Sequence, residues 1–170
     1  MKKLFPVFLL LFIAATLSGQ DAHTLVKIGM KTPQFTFESS PGQTSRISDY
    51  EGKVVLITFF ATWCGPCREE LPYIEKEIYQ PLKDNKEFAL LVFGREHNRE
   101  AVEKFRQGQS FSMPLYPDPE RKVFGQFASQ FIPRNFVLNR KGEIVYMTTG
   151  FNKAEFGKLK KTILETIKNQ

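Results

Sequence analysis

Residues 52–72 read GKVVLITFFATWCGPCREELP. Val54 to Phe60 is an unbroken run of β-branched and aromatic residues, the pattern of a central strand buried on both faces. The run leads directly to Trp63-Cys64-Gly65-Pro66-Cys67. From Pro66 to about Lys83 the apolar positions Leu71, Ile74, Ile78 and Leu82 recur at steps of three and four, which predicts a helix with one face on the core. Pro72 is expected to kink it. A cysteine pair therefore sits where a buried strand turns into a helix.

That position implies chemistry. Cys64 falls at the N-cap, its sulfur facing unpaired backbone N–H groups and the positive end of the helix dipole, which favours thiolate over thiol. Cys64 is thus the expected nucleophile, and Cys67, one turn inside, the more shielded thiol that resolves a mixed disulfide. Gly65 permits a tight approach, and Pro66 in the first turn removes an N–H that has no intrahelical partner. Trp63 reads in two ways, as a flat apolar shoulder for a protein substrate or as an ordinary core aromatic. Cys64 and Cys67 are the only cysteines. A bridge over two residues constrains little of the unfolded chain, whereas a structural staple normally closes a long loop. Zinc is not expected, since only His23 and His97 could join the sulfurs and neither shows ligand spacing. Arg68 follows Cys67 where haem attachment needs histidine.

Outward from this block the chain alternates short apolar runs with amphipathic stretches, an α/β pattern. Gln34–Glu38 and Thr44–Ile47 flank the turn signal Ser39-Ser40-Pro41-Gly42, so a small amino-terminal hairpin is predicted. Phe88–Phe93 is a second central strand, closed by Gly94. Asn98 is the expected N-cap of a helix to about Gln107. Met113–Pro119 is extended, and Val123, Phe124 and Phe127 suit a short helix within Glu120–Ser129. Asn135–Leu138 and Glu143–Thr149 flank Asn139-Arg140-Lys141-Gly142 as a hairpin. Lys153–Lys168 places Phe156, Leu159, Ile163, Leu164 and Ile167 on one face of a terminal helix.

The 170 residues, 42% apolar with 17 Phe and 25% charged, suit one folded domain and exclude disorder. The first twenty, MKKLFPVFLLLFIAATLSGQ, have a basic start, an apolar run from Leu4 to Leu17 and then Ser18-Gly19. This is a secretory signal pattern. The run is short of the roughly 20 residues that span a bilayer, so cleavage near Gly19 is expected, leaving a domain over 20–170. An uncleaved amino-terminal anchor is the alternative, and no cysteine is present there for a lipid. Loss of Lys2 and Lys3 lowers the formal charge from +6 to +4, too little for a nucleic-acid surface. A periplasmic or other extracytoplasmic location follows.

Gly52–Pro72 resembles the thioredoxin superfamily, and within it the exported TlpA-like and ResA-like thiol-disulfide oxidoreductases, with strand, active site and kinked helix in register. Gly29-Met30-Lys31-Thr32-Pro33-Gln34-Phe35 is similar to that group's entry into an amino-terminal hairpin, and Phe136 to Val145 to its last hairpin. The resemblance covers roughly residues 27–168. It implies a thioredoxin-like fold, a central mixed sheet flanked by helices. It also implies that Pro133 is a cis-proline facing the disulfide, with Ile132 offering backbone groups to an extended substrate. Phe131 stands where a glycine is common, and Arg134 where a small hydroxyl residue is common. The carboxylate that thioredoxin carries six residues before its first cysteine is here Thr58. The ResA-like group carries a glutamate three residues after the second cysteine, and Glu70 matches it, as a candidate base or, on the plainer reading, a solvated acid like Glu69. His97 follows a strand that ends near the site, and a surface histidine is the simpler expectation.

By this resemblance the chain reduces protein disulfides without a diffusible cofactor, apocytochrome c being one candidate substrate. A membrane reductase of DsbD or CcdA type would reload it. A monomer is expected. The alternative is a metal-handling or peptide-binding module without turnover, but copper chaperones of related fold resemble a Cys-x-x-x-Cys pattern, one residue longer. A peroxide reductase lacks its Pro-x-x-x-Thr-x-x-Cys pattern here. Direction follows from Gly65 and Pro66, which donate no charged hydrogen bond to sulfur. The helix terminus alone is worth roughly 0.3–2 kcal/mol, and ~1.4 kcal/mol corresponds to about 30 mV. That leaves the couple near thioredoxin, below about −220 mV, rather than near DsbA at about −120 mV.

Overall fold

The computed structural model describes residues 21–169, so the predicted export segment lies outside it. β1 (Thr36–Ser40) and β2 (Gln43–Arg46) form the amino-terminal hairpin. β3 (Val54–Phe60), β4 (Phe88–Arg95), β5 (Leu115–Asp118), β6 (Arg134–Leu138) and β7 (Ile144–Thr149) form one mixed sheet in the order β5-β4-β3-β6-β7. β4 runs parallel to β3 and β5, while β6 is antiparallel to β3 and β7 to β6. This is the thioredoxin-like α/β arrangement, with β3 at its centre.

All seven residues of β3 are buried, and their alternation divides the core. Val54, Leu56 and Phe60 face the helical side, against Leu71, Ile74 and Ile78 and against Phe156, Leu159 and Ile163 of the terminal helix. Val55, Ile57 and Phe59 face the hairpin side, where phenylalanines dominate. Phe37 meets Phe93 edge-on at 5.1 Å and Phe59 meets Phe124 at 5.3 Å, geometries worth about 0.5–1.5 kcal/mol beyond the area buried. The helical side carries its own aromatics, Phe60, Phe88, Phe111 and Phe156 among them, so both faces of the sheet are sealed by rings.

Three expectations need correction. The helix predicted over 66–83 runs unbroken from Gly65 to Leu82 but is not regular: α1 (Gly65–Tyr73) passes through a π-helical stretch (Ile74–Tyr79) into α2 (Gln80–Leu82). Pro72 and Pro81 bracket the π stretch, each withdrawing an N–H, and the chain answers with wider pairing, Gln80 N–H donating to Glu75 O. Gly94 does not close β4, which continues to Arg95. A Cβ at Gly94 would lie 2.5 Å from Val102 Cγ1, so glycine is there for the close packing of α3 (Arg99–Gly108), which Asn98 caps by accepting from the Ala101 N–H. The short helix expected within Glu120–Ser129 is α4 (Phe124–Phe127), with buried Asp118 accepting from the Val123 and Phe124 N–H groups at 3.0 and 2.9 Å. Finally, α5 (Lys153–Lys168) buries Phe156, Leu159 and Ile163 but leaves Leu164 48% exposed, because the apolar stripe is narrower than the sequence pattern suggests. Among the described residues no helix is long and apolar enough to cross a membrane.

Candidate active site

β3 delivers the chain into a turn closed by Cys64 N–H donating to Ala61 O. Cys64 then takes an extended conformation and caps α1: the Cys67 N–H donates to Cys64 Sγ at 3.2 Å. Pro66 lies in the first turn, where its missing N–H costs no bond. The two cysteines are joined in a disulfide, so the structure is that of the oxidised protein. Cys64 is 6% exposed and Cys67 fully buried, which sets the order in which a substrate can reach them. Across from them the Ile132–Pro133 peptide is cis, and the Ile132 carbonyl oxygen lies 3.7 Å from Cys64 Sγ. Trp63 is exposed, not a core aromatic, and the Arg95 guanidinium stacks over its ring at 5.4 Å.

Beneath α1, three strands place polar residues side by side where the core is otherwise apolar. Thr58 of β3 is the register partner of Asn135 of β6, and Asn135 that of Thr148 of β7. Thr58 Oγ1 donates to Asn135 Oδ1 at 2.8 Å, and Asn135 Nδ2 donates to Thr148 Oγ1 at 3.2 Å and to Glu70 Oε1 at 2.7 Å. Glu70 hangs into this row from α1, one turn after Cys67 and on the same helix face. It is 2% exposed, so it is not a solvated acid, and its Oε2 is buried with no partner. Burial pushes its carboxyl up to about 7, against the opposing effect of the Asn135 hydrogen bond. A carboxyl in that range can take and return a proton near neutral pH.

His97 is also placed otherwise than expected. It is half-buried, and its Nε2 accepts from the Thr62 N–H at 2.9 Å, tying the end of β4 to the turn before Cys64. Burial lowers its pKa, with the Glu96 backbone and carboxylate acting upward and Arg95 downward. Arg134 is buried and organises the cis-proline loop: Nε donates to the carbonyls of Gln130 and Phe131, and the terminal nitrogens reach Thr24 Oγ1 and Asp21 Oδ2. Phe131 has φ +62, a left-handed conformation that accounts for glycine being common at its position. The sequence pattern places Asn135 only at the start of a strand. An asparagine entering a strand that is otherwise apolar was the available signal, since a buried amide needs partners.

No group of three or more metal-ligating side chains is assembled among the described residues. The fold and the capped, cis-proline-faced cysteine pair define a thiol-disulfide oxidoreductase of thioredoxin type. The comparisons narrow the class: a match to redoxin spans residues 27–165, and the chain belongs to that family as a TlpA/ResA-like member of the thioredoxin superfamily. The thiol-disulfide oxidoreductase ResA of Geobacillus kaustophilus is 31% identical over 75% of this chain and 72% of its own, and ResA of Bacillus subtilis 27% over 80% and 73%. Among solved structures, a candidate protein disulfide isomerase from Bacteroides thetaiotaomicron superposes with TM-score 0.82 at 38% identity, covering 86% of this chain and 94% of that one. StoA from Bacillus subtilis superposes with TM-score 0.62 at 26% identity, over 76% and 95%.

Proposed function

We propose that this oxidoreductase is exported and reduces disulfides in proteins, with Cys64 as nucleophile, Cys67 as resolving thiol and Glu70 as its base. The observation that carries the reading is the Cys67 N–H donating to Cys64 Sγ at the head of α1, which favours negative charge on the outer sulfur. In the reduced protein the Cys64 thiolate attacks a substrate disulfide, forming one mixed S–S bond and expelling a substrate thiolate that takes a proton from solvent. The Cys67 thiol passes its proton to the Glu70 carboxylate and attacks Cys64 Sγ. The mixed bond breaks, the second substrate thiolate leaves and is protonated, and the Cys64–Cys67 disulfide forms. Two electrons have moved to the substrate. Trp63 and the Ile132 backbone, beside cis Pro133, are the proposed docking groups, and Gly65 and Pro66 shape the turn.

Reloading requires two electrons from a membrane dithiol donor of DsbD or CcdA type, and apocytochrome c is one candidate substrate. Both assignments rest on family resemblance. The export reading rests on residues 1–19. A Cys67→Ser variant should accumulate mixed disulfides through Cys64 in the native envelope, and iodoacetamide should alkylate Cys64 first, with a pKa below the ordinary value of ~8.5. Labelling of Cys67 first would reverse the roles. Absence of any turnover would favour a non-catalytic metal-handling or peptide-binding module.

A further inference from the structure

A groove opens beside the disulfide, lined by Trp63, Arg95, Arg121, Gln130, Phe131 and Ile132. It lies next to Cys64, since Ile132 carries the carbonyl that faces the Cys64 sulfur and Trp63 immediately precedes that residue. Its walls include two exposed aromatic rings, Trp63 at 62% and Phe131 at 54%. Phe131 is held with φ +62, where a bulky side chain is unfavourable. Strain of that sort at a site's rim points to use.

The charge in the groove is of one sign. The Arg95 and Arg121 guanidiniums both stack over Phe124, at 5.1 and 5.2 Å, and no acidic side chain lines the groove. Glu96, which does not line it, is shared between them, 3.2 Å from Arg95 Nη2 and 3.6 Å from Arg121 Nη1. Arg121 Nη2 also donates to Ser129 O. One carboxylate against two guanidiniums leaves a net positive charge beside Cys64.

Building on the proposed reductase activity, we infer that the groove selects polypeptide substrates that carry a carboxylate side chain close to the disulfide cysteine, in an extended segment laid across Ile132. The aromatic rings supply apolar contact, and the arginines supply the sign. Discrimination then lies in differential affinity, strengthened by repulsion of a lysine at the same place, and it weakens as salt screens the charges.

The test uses the full-length reduced protein and two disulfide-bridged peptides, identical except for Glu or Lys flanking each cysteine. The ratio of their kcat/KM values is read at low and high ionic strength. The Glu peptide should be preferred about three- to fivefold at low salt, the value of one exposed ion pair. The preference should shrink at high salt and fall below one in Arg121→Glu. A ratio is insensitive to partial loss of folded enzyme, since both peptides use the same sites. Equal rates for the two peptides, or a preference unchanged in Arg121→Glu, would overturn the inference and leave the reductase reading intact. Failure to reduce either peptide would remove both. A dimer that Arg121→Glu dissociates would assign the groove to a second copy of the chain instead.

Discussion

Asn135 Nδ2 donates to Glu70 Oε1 at 2.7 Å, joining a sheet strand to the active-site helix one turn beyond Cys67. The bond holds a carboxyl that burial would otherwise drive further toward its neutral form. It makes the proton behaviour of Glu70 a property of the sheet as well as of α1.

Glu70→Gln should slow resolution of the mixed disulfide by about 10²-fold, within the range of positioned bases. Stability should move the other way. The folded carboxyl is raised from 4.5 to about 7, so its favourable contribution is present at low pH and is lost as pH rises through about 7. The oxidised variant should therefore gain on the order of 3 kcal/mol relative to the parent between pH 4 and pH 8. Melting curves at the two pH values, with Glu69→Gln as the exposed control, check this. Identical behaviour of the two variants would return Glu70 to the status of a plain acid.

Asn135→Ala removes the hydrogen bond that opposes the effect of burial on Glu70. The midpoint of the pH profile for resolution should shift upward, and the fold should lose about 1–3 kcal/mol from the unsatisfied partners. Thr58→Val breaks the Thr58–Asn135 bond but leaves the Asn135–Glu70 bond in place, so its profile should keep the parent midpoint. Equal midpoints in all three proteins would mean that Asn135 serves packing alone.

His97 accepts from the Thr62 N–H only while Nε2 is unprotonated. Its folded pKa is lowered by burial, so the unfolded chain takes up the proton first as pH falls through about 6.5, and stability is lost on acidification. His97→Gln, which can accept without titrating, should lose less stability between pH 7.5 and pH 5 than the parent, while His97→Ala should lose about 1 kcal/mol at pH 7.5. Parallel melting curves for parent and His97→Gln at the two pH values would show that the histidine does not latch the turn.

Equilibration with glutathione should place the Cys64/Cys67 couple below about −220 mV, since only the helix terminus, and no charged side chain between the cysteines, favours the thiolate. A value above about −160 mV would make the protein a disulfide donor.

Local pattern suffices for the strand, cysteine pair and helix of residues 54–73, the second central strand, the capped helix after Asn98, the closing hairpin and the last helix. These features are written in local periodicity and in capping residues, and each depends on neighbours within a few positions along the chain. Cys64 and Cys67 were legible for the same reason, since spacing and a following helix are local facts. Glu70 was legible only through resemblance, which did not separate a buried acid from a solvated one.

The remaining features arise only on folding, because burial and hydrogen-bond partnership depend on residues distant in sequence. Glu70 and Asn135 are 65 positions apart, and Thr62 and His97 are 35 apart. Arg134 reaches Asp21 across 113. No periodicity encodes such meetings. Whether a glutamate is an ordinary acid or a proton acceptor near pH 7 is set by the water it loses and the one amide that opposes that loss. Both come into being only when β3, β6 and α1 close over the same point.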